Sequence, residues 1–209
     1  MEKSNQLNLF LGEIISPETL FIALGQFNNL IISLIEKTNW GYLAILNDIS
    51  LNIITNKAFF DNPSNKIQNN YLFFSGEFLH SGLNQNDVMI ADRLVFGEIK
   101  VKTNQVINQK LSHYFFVDKP WHGSTVIEKE TNQSSKLKNQ IRSHLACIKE
   151  TNFIKSIIEK IAEIPDFACS AIIISEQASI NQQIKVAKMI LEFNIDFLKN
   201  LSIARNNIT

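Results

Sequence analysis

Three side chains between residues 87 and 102 have the types and spacing to do chemistry together. Asp87 precedes Glu98 by eleven positions, and Lys100 follows Glu98 by two, in the stretch DVMIADRLVFGEIKVK. Two carboxylates can hold Mg²⁺ together with several waters, and a lysine beside them can act on a metal-bound water. If residues 98–102 form a strand, Glu98 and Lys100 share one face of it. The same residues also fit the solvated face of an ordinary amphipathic hairpin.

This pattern resembles the PD-(D/E)xK nuclease motif over residues 87–102. In that family an Asp and a Glu ligate Mg²⁺, and the Lys helps to orient or activate the attacking water. The resemblance implies a Mg²⁺-dependent nuclease with Asp87 and Glu98 as metal ligands and Lys100 as the third catalytic residue. The chain has Asn86 where the family usually has Pro.

Charge is distributed unevenly along a chain whose net charge is zero. Residues 1–92 hold 4 basic and 9 acidic side chains, whereas residues 93–142 hold 9 basic and 4 acidic ones. A basic face formed by residues 93–142 could bind the phosphates of a nucleic acid. Alternatively, the two segments neutralise each other across the folded surface.

The last predicted helix, residues 179–204, is apolar around most of its circumference. Such a helix is buried at the centre of a protein or is covered by another chain. We expect an interface on the stripe formed by Met189, Phe193, Phe197 and Leu201, which recur at helical spacing. The sequence thus favours a non-catalytic binding or accessory subunit, either a homodimer or part of a complex with another protein. The Mg²⁺-dependent nuclease is the alternative.

Other familiar chemical motifs are missing from the sequence. Cys147 and Cys169 are isolated and cannot complete a zinc site, so we expect buried thiols in a reducing compartment. His122, in the stretch PWHG, is interpreted as a turn residue that could line a pocket. Neither a phosphate-binding loop nor a nucleophile elbow is present. No cofactor is expected unless the nuclease alternative holds, in which case it is Mg²⁺.

Composition and periodicity predict a single α+β domain over residues 1–209, with a mostly antiparallel sheet. An apolar fraction of 45% with 19% charge is typical of a globular protein. Three main helices are expected, at residues 17–37, 135–164 and 179–204. Hairpins are expected at 40–55 and at 88–103, the second turning at Asp92–Arg93, and residues 106–117 fit a strand better than a helix. No apolar run reaches membrane-spanning length, so we expect a cytoplasmic protein.

Overall fold

Parallel strands form the centre of this protein in its computed structural model. The structure describes residues 6–12, 14–62, 65, 69–80, 82–115, 120–128, 144–164 and 167–206. The strands are β1 (Gln6–Gly12), β2 (Ile32–Lys37), β3 (Gly41–Leu46), β4 (Ile49–Ile54), β5 (Asn70–Phe78), β6 (Val88–Phe96), β7 (Ile99–Lys102), β8 (Trp121–Glu128), β9 (His144–Lys149) and β10 (Cys169–Ser175). The α-helices are α1 (Pro17–Leu24), α2 (Gln105–Tyr114), α3 (Asn152–Glu163) and α4 (Ile180–Asn206), and a 3-10 helix covers Lys57–Asp61.

Five of the strands pair in a closed circuit, which makes part of the sheet a barrel. β5 pairs with β10, β10 with β6, β6 with β8, β8 with β9, and β9 with β5 again. The remaining strands extend outwards, with β1 beside β5 followed by β4, β3 and β2, while β7 pairs with β6. Strand β5 therefore belongs to both the barrel and the open sheet. Its first half pairs with β1, and its last two residues pair with β9.

Two apolar cores cover the two faces of this sheet. Residues alternate between them along each strand, so that Tyr71 and Phe73 of β5 join one core and Leu72 and Phe74 join the other. Helices α1, α2 and α4 pack on the first core. Helix α3 packs on the second through its buried isoleucines, which recur at helical spacing.

The predicted mostly antiparallel sheet is wrong, although the mixed class of helices and sheet is confirmed. Among the described residues, the five pairings β1–β4, β1–β5, β5–β10, β6–β8 and β8–β9 are parallel and the other five are antiparallel. The almost wholly buried strands β1 and β10 are typical of parallel pairing, because both faces of such strands are covered. The assignment of residues 1–209 to one domain stays a prediction.

Two of the three predicted helices need correction. Helix α1 begins at Pro17, as predicted, and Ser16 is its N-cap, but the helix ends at Leu24 and the chain returns as β2. Residues 135–164 are not one helix, because residues 144–149 form β9 and only Asn152–Glu163 is helical; residues 135–143 lie outside the described part of the chain. The last helix is confirmed as α4.

The segment 106–117, for which a strand was favoured, is helical over residues 106–114 as part of α2, and residues 116–117 lie outside the described part of the chain. The Asn104 side chain accepts a hydrogen bond from the Ile107 backbone N–H at 3.1 Å and so caps the helix. Leu111 and Phe115 are buried four residues apart, as a helix requires. The apolar side chains of this segment pack on the first core.

Both predicted hairpins are present, but one turns elsewhere. The β3–β4 hairpin turns at Asn47 and Asp48, whose φ angles of 46° and 68° suit the primed turn that two-residue hairpins favour. The β6–β7 hairpin turns at Gly97–Glu98, not at Asp92–Arg93, and Gly97 has a φ of 56°. Strand β6 runs through Asp92, where the pairing with β8 shifts by a bulge.

A buried amide ladder fixes the register of the parallel strands. Asn52 of β4 donates to Asn8 of β1 at 2.8 Å, and Asn8 donates to Asn70 of β5 at 2.9 Å. Asn70 then donates to the carbonyl of Ala168 at 3.0 Å. A one-residue slip would leave these buried amides unpaired, so the ladder holds the carboxyl ends of β4, β1 and β5 in alignment.

Candidate functional site

The carboxyl ends of β5 and β10 lie side by side and each continues into a glutamate. Ser175 is the register partner of Gly76, and the backbone N–H of Glu176 donates to the Gly76 carbonyl at 3.0 Å. Glu77 and Glu176 are therefore the first side chains beyond this pair. In sheets with parallel strands, ligands commonly bind outside the carboxyl ends of the strands.

Closure of the barrel brings the last residues of β8 and β9 beside the last residues of β5, although β9 runs antiparallel to β5. Glu77 of β5 pairs with Cys147 of β9, and Glu128 of β8 pairs with Lys149 of β9. Directly after β9, the backbone N–H of Glu150 donates to the Glu128 carbonyl at 2.6 Å. We call Glu77, Glu128, Glu150 and Glu176 the acidic rim.

Three of these carboxylates lie within electrostatic reach of the Cys147 thiol. Burial raises the pKa of Cys147 to about 11, and the charges of Glu128, Glu77 and Glu176 raise it further. Glutamates from three different strand ends thus act on one sulfur atom. A thiol with so high a pKa is a poor nucleophile at neutral pH, so Cys147 is not the reactive group of this site.

The members of the acidic rim differ in exposure. Burial raises the pKa of the Glu128 carboxyl, which favours its protonated form more than in water. Glu77 and Glu150 are partly buried, whereas Glu176 is exposed. Glu176 is therefore the carboxylate best placed to meet a ligand that lies over the strand ends.

A close backbone approach holds this arrangement together. A Cβ atom added to Gly76 would lie 2.7 Å from the Cys147 carbonyl oxygen, closer than real Cβ atoms come to such an atom. Only glycine lets β5 and β9 approach this closely, directly below Glu77. The acidic rim thus depends on a residue without a side chain.

Such a group of carboxyls can do three things chemically. Carboxylates accept hydrogen bonds from sugar hydroxyls, and they stabilise a positive charge that develops on a sugar ring. A protonated carboxyl can donate its proton to a leaving group. The acidic rim therefore suits the cleavage of a bond to a sugar.

The residues of the nuclease alternative lie far apart. Asp87 precedes β6, where its carboxylate accepts from the Asn84 backbone N–H at 2.7 Å, and Glu98 lies in the turn after β6. The nine residues of β6 separate them by more than ~20 Å at about 3.3 Å per residue, so they cannot share a metal ion. Lys100 is exposed on β7. Within the described residues, no group of three or more His, Cys, Asp or Glu side chains could hold a metal ion.

The predicted interface stripe packs on the protein's own core over the part that is described. Phe193 is buried, stacks on Phe197 with ring centroids 5.7 Å apart, and meets Tyr114 edge-on. Met189 and Phe197 are partly buried against the same core. The Leu201 side chain lies outside the described side chains. An interface on this helix stays a prediction.

The predicted basic face is described only in part. Lys100 and Lys102 are exposed on β7, while the Lys110 amine lies over the Phe197 ring at 4.8 Å from its centroid. Residues 129–143, which carry several of the basic side chains, lie outside the described part of the chain. Nucleic-acid binding by residues 93–142 stays a prediction.

His122 lies on β8, not in a turn, and contacts a serine and an aspartate. Its Nε2 is 2.7 Å from the Ser112 Oγ, and its Nδ1 is 3.4 Å from an Asp92 carboxylate oxygen. The Ser112 hydroxyl also donates to the Asn108 carbonyl at 2.7 Å, in the second half of α2. Because the carboxyl end of a helix disfavours negative charge, an oxyanion would not be stabilised there. We interpret this set as a link between α2 and the sheet.

Comparison of the fold with solved structures reveals similarity to enzymes that act on nucleosides. The chain superposes on a futalosine hydrolase mutant of Helicobacter pylori with a TM-score of 0.67 and 11% identity, over 92% of this chain and 99% of the other. For the 5'-methylthioadenosine/S-adenosyl homocysteine nucleosidase of Campylobacter jejuni the values are 0.65 and 13%, over 90% and 97%. For the uridine phosphorylase of Vibrio fischeri they are 0.65 and 9%, over 93% of each chain. No family profile and no curated protein sequence matches the chain. At these identities the likeness shows the fold alone.

This fold corrects the functional predictions. Both the non-catalytic accessory subunit and the Mg²⁺-dependent nuclease are wrong, because the fold is that of nucleosidases and phosphorylases. The accessory-subunit prediction depended on the absence of a recognisable active site. The acidic rim was overlooked because its members are scattered over 100 positions of sequence.

A sequence signal for the acidic rim does exist. Each member directly follows or ends an apolar or β-branched strand run: FFSG before Glu77, STVI before Glu128, ACIK before Glu150 and IIIS before Glu176. Acids at the carboxyl ends of parallel strands are grounds to expect a site, and the acids here end two parallel pairs, β5 with β10 and β8 with β9. The two pairs run antiparallel to each other, and the pairing of β5 with β9 brings them together. The expectation of an antiparallel sheet hid this signal.

Proposed function

We propose that this protein is a nucleoside hydrolase that cleaves the bond between a base and its ribose. The acidic rim at the carboxyl ends of β5, β8, β9 and β10 is the observation that carries the proposal. The fold is similar to those of a futalosine hydrolase, a 5'-methylthioadenosine/S-adenosyl homocysteine nucleosidase and a uridine phosphorylase, which supports the same substrate class.

In the proposed reaction the C1'–N bond breaks and its electron pair leaves with the base. Glu176, the exposed member of the acidic rim, donates a proton to the departing nitrogen. The ribose acquires positive charge, which the neighbouring carboxylates stabilise. A water molecule then forms the new C1'–O bond and gives its proton to a carboxylate, which completes the hydrolysis.

Hydrolysis fits the site better than phosphorolysis. Inorganic phosphate is an anion, and a cleft with several carboxylates repels it. Water carries no charge, so the carboxylates do not repel it. We therefore expect base release without any requirement for phosphate.

The test is to incubate the purified protein with purine and pyrimidine nucleosides and measure free base by chromatography. We expect release in phosphate-free buffer. Glu176→Gln should lower kcat by about 100-fold or more, because an amide cannot donate the proton and general acid catalysis contributes this much.

Glu163→Gln is the matched control. Glu163 is an exposed glutamate whose carboxylate pairs with Lys160 at 2.8 Å on the outer side of α3. Its replacement should leave kcat unchanged. Full activity of Glu176→Gln, or activity that appears only with phosphate, would contradict the proposed mechanism.

We also propose that the protein is cytoplasmic and self-associates through α4. No helix of the described residues is long and apolar enough to cross a membrane. Both cysteines are buried free thiols, which suits a reducing compartment. The sequence of α4 beyond Phe197 still carries apolar residues at Leu198, Leu201 and Ile203, which support a contact with a second copy. Light scattering measures this association.

A further inference from the structure

A polar cavity of about 500 Å³ lies between α3 and the segment that follows β4. Lys57, at the start of the 3-10 helix, and Lys155, on the first turns of α3, both line it. These lysines are 98 positions apart in sequence, and two different elements bring them together. A volume of this size can hold a small ligand or one substituent of a larger ligand.

Among the described residues, the charge in this cavity is only partly balanced. Lys155 lies 4.0 Å from the Glu159 carboxylate, at the limit of an ion pair. The other charged side chains described on these two elements, Asp61, Lys160 and Glu163, interact with one another. Two ammonium groups in one cavity repel each other, and a bound anion would remove that cost.

The neutral lining of the cavity also suits an anion. Asn56, Asn152 and Ser156 contribute amide and hydroxyl groups, and Phe153 contributes part of an aromatic ring. The amides can donate hydrogen bonds to a carboxylate or a phosphate, whereas the Ser156 hydroxyl already donates to the Asn152 carbonyl at 2.7 Å. No acidic side chain is among the described residues that line the cavity.

The cavity lies at the same edge of the sheet as the acidic rim. Thr55, which lines it, directly follows β4, whose Ile54 pairs with Phe10 of β1. Asn152, which also lines it, follows Glu150 of the acidic rim by two residues. The sheet order β4, β1, β5, β10 separates the two places by three strand spacings, roughly 14 Å. One extended ligand can reach both.

We propose that this cavity binds the anionic group of the substrate, so that the preferred substrate is a nucleoside with a carboxylate or phosphate substituent. This inference rests on the proposed hydrolysis, since the acidic rim would bind the ribose and base while Lys57 and Lys155 bind the anion. Carboxylates at one end of the binding site and lysines at the other would also fix the orientation of the bound substrate.

The experiment compares adenosine, adenosine 5'-monophosphate and adenosine 5'-carboxylic acid as substrates. The wild-type protein should prefer one of the two anionic substrates over adenosine by about tenfold or more in kcat/KM, which corresponds to about 1.4 kcal/mol. The double variant Lys57→Ala/Lys155→Ala should lose that preference and keep its kcat/KM for adenosine. Whichever anion is preferred identifies the substituent as phosphate or carboxylate.

Lys160→Ala is the control, since Lys160 lies on the same helix outside the cavity and pairs with Glu163. Lys160→Ala should keep the preference for the anionic substrate. High ionic strength should weaken this preference in the wild-type protein and in Lys160→Ala. A preference that survives in the double variant, or a wild-type preference for adenosine, overturns the proposal.

A binding measurement separates this inference from the proposed hydrolysis. Calorimetric titration with adenosine 5'-monophosphate and with the carboxylic acid needs no turnover. If no nucleoside is cleaved but the lysines are required for binding of either anion, the hydrolysis fails and the anion site stands. If adenosine is cleaved and neither anion binds more tightly to wild type than to the double variant, the anion site fails and the hydrolysis stands.

Discussion

At the scale of single residues, the environment of one cysteine reports on the site. Cys147 and Cys169 are both buried, and burial is the main reason why the pKa of each is high. Only Cys147 also experiences the charges of Glu128, Glu77 and Glu176. Cys169, which is remote from the acidic rim, is therefore an internal control for Cys147, which lies beside it.

This difference predicts how alkylation responds to a mutation. The pKa values of about 11 for Cys147 and about 12 for Cys169 leave little thiolate at pH 8, so both should react slowly with iodoacetamide. Glu176→Gln removes one charge that raises the pKa of Cys147, so its thiolate fraction and its rate of alkylation should rise. The rate for Cys169 should not change. Mass spectrometry of each cysteine across pH 7–10 measures both, and an equal response would show that Glu176 is not near Cys147.

At the scale of elements, local signals in the sequence predicted the two hairpins but few helix ends. Strands β3 and β4 match the hairpin expected at residues 40–55, because alternating runs on either side of turn residues define them. The helix expected at residues 17–37 failed beyond Leu24, because apolar residues at Phe27 and Leu30 also suit a turn packed on the core. Periodicity reports which side chains are buried, and a buried side chain can belong to either kind of element.

The same ambiguity affects the prediction of an interface on helix α4. Its apolar circumference predicted an interface, yet Leu191, Phe193 and Ile195 are covered by the protein's own core. Apolar composition indicates burial but not whether the cover comes from the same chain. Phe193 of the predicted stripe is thus buried within the chain, so the proposed self-association is supported by the sequence of α4 beyond Phe197.

A charge placed in that last segment tests the proposal. Leu201→Asp should shift the protein from dimer to monomer, because a carboxylate in an apolar contact must be desolvated without a partner. Lys199→Asp is the control, since residue 199 lies roughly 200° around the helix from residue 201. Light scattering at micromolar concentration measures the mass of each. If the wild-type protein is already monomeric, self-association through α4 is excluded.

At the scale of the whole molecule, the site exists only because distant segments close a barrel. The acidic rim unites residues 77, 128, 150 and 176, and no local motif connects them. Their meeting follows from two long-range pairings, β5 with β10 and β5 with β9. A sequence can predict each strand from its own residues, but it does not state which strands become neighbours. The candidate site was therefore not predictable without the topology, whereas the mixed class of the fold was.

Gly76 tests the dependence of the site on barrel closure. The Cβ atom of Gly76→Ala would lie 2.7 Å from the Cys147 carbonyl oxygen, a backbone atom that no side-chain rotation can move away. Strands β5 and β9 must separate there, and we expect a loss of roughly 2–4 kcal/mol in the free energy of unfolding. Gly25→Ala is the control, because its Cβ would meet the nearest atom at an ordinary 3.4 Å in a right-handed conformation. Urea unfolding measures both variants.

The same variant links stability to the proposed activity. Separation of β5 from β9 moves Glu77 away from Glu128 and from the start of α3, so nucleoside cleavage should fall even at temperatures where Gly76→Ala is fully folded. It should also release Cys147 from part of its burial, and so raise its rate of alkylation while Cys169 stays slow. A variant that is as stable and active as the wild type would mean that the contact between Gly76 and Cys147 does not hold the acidic rim together, and that the rim is positioned by β10 alone.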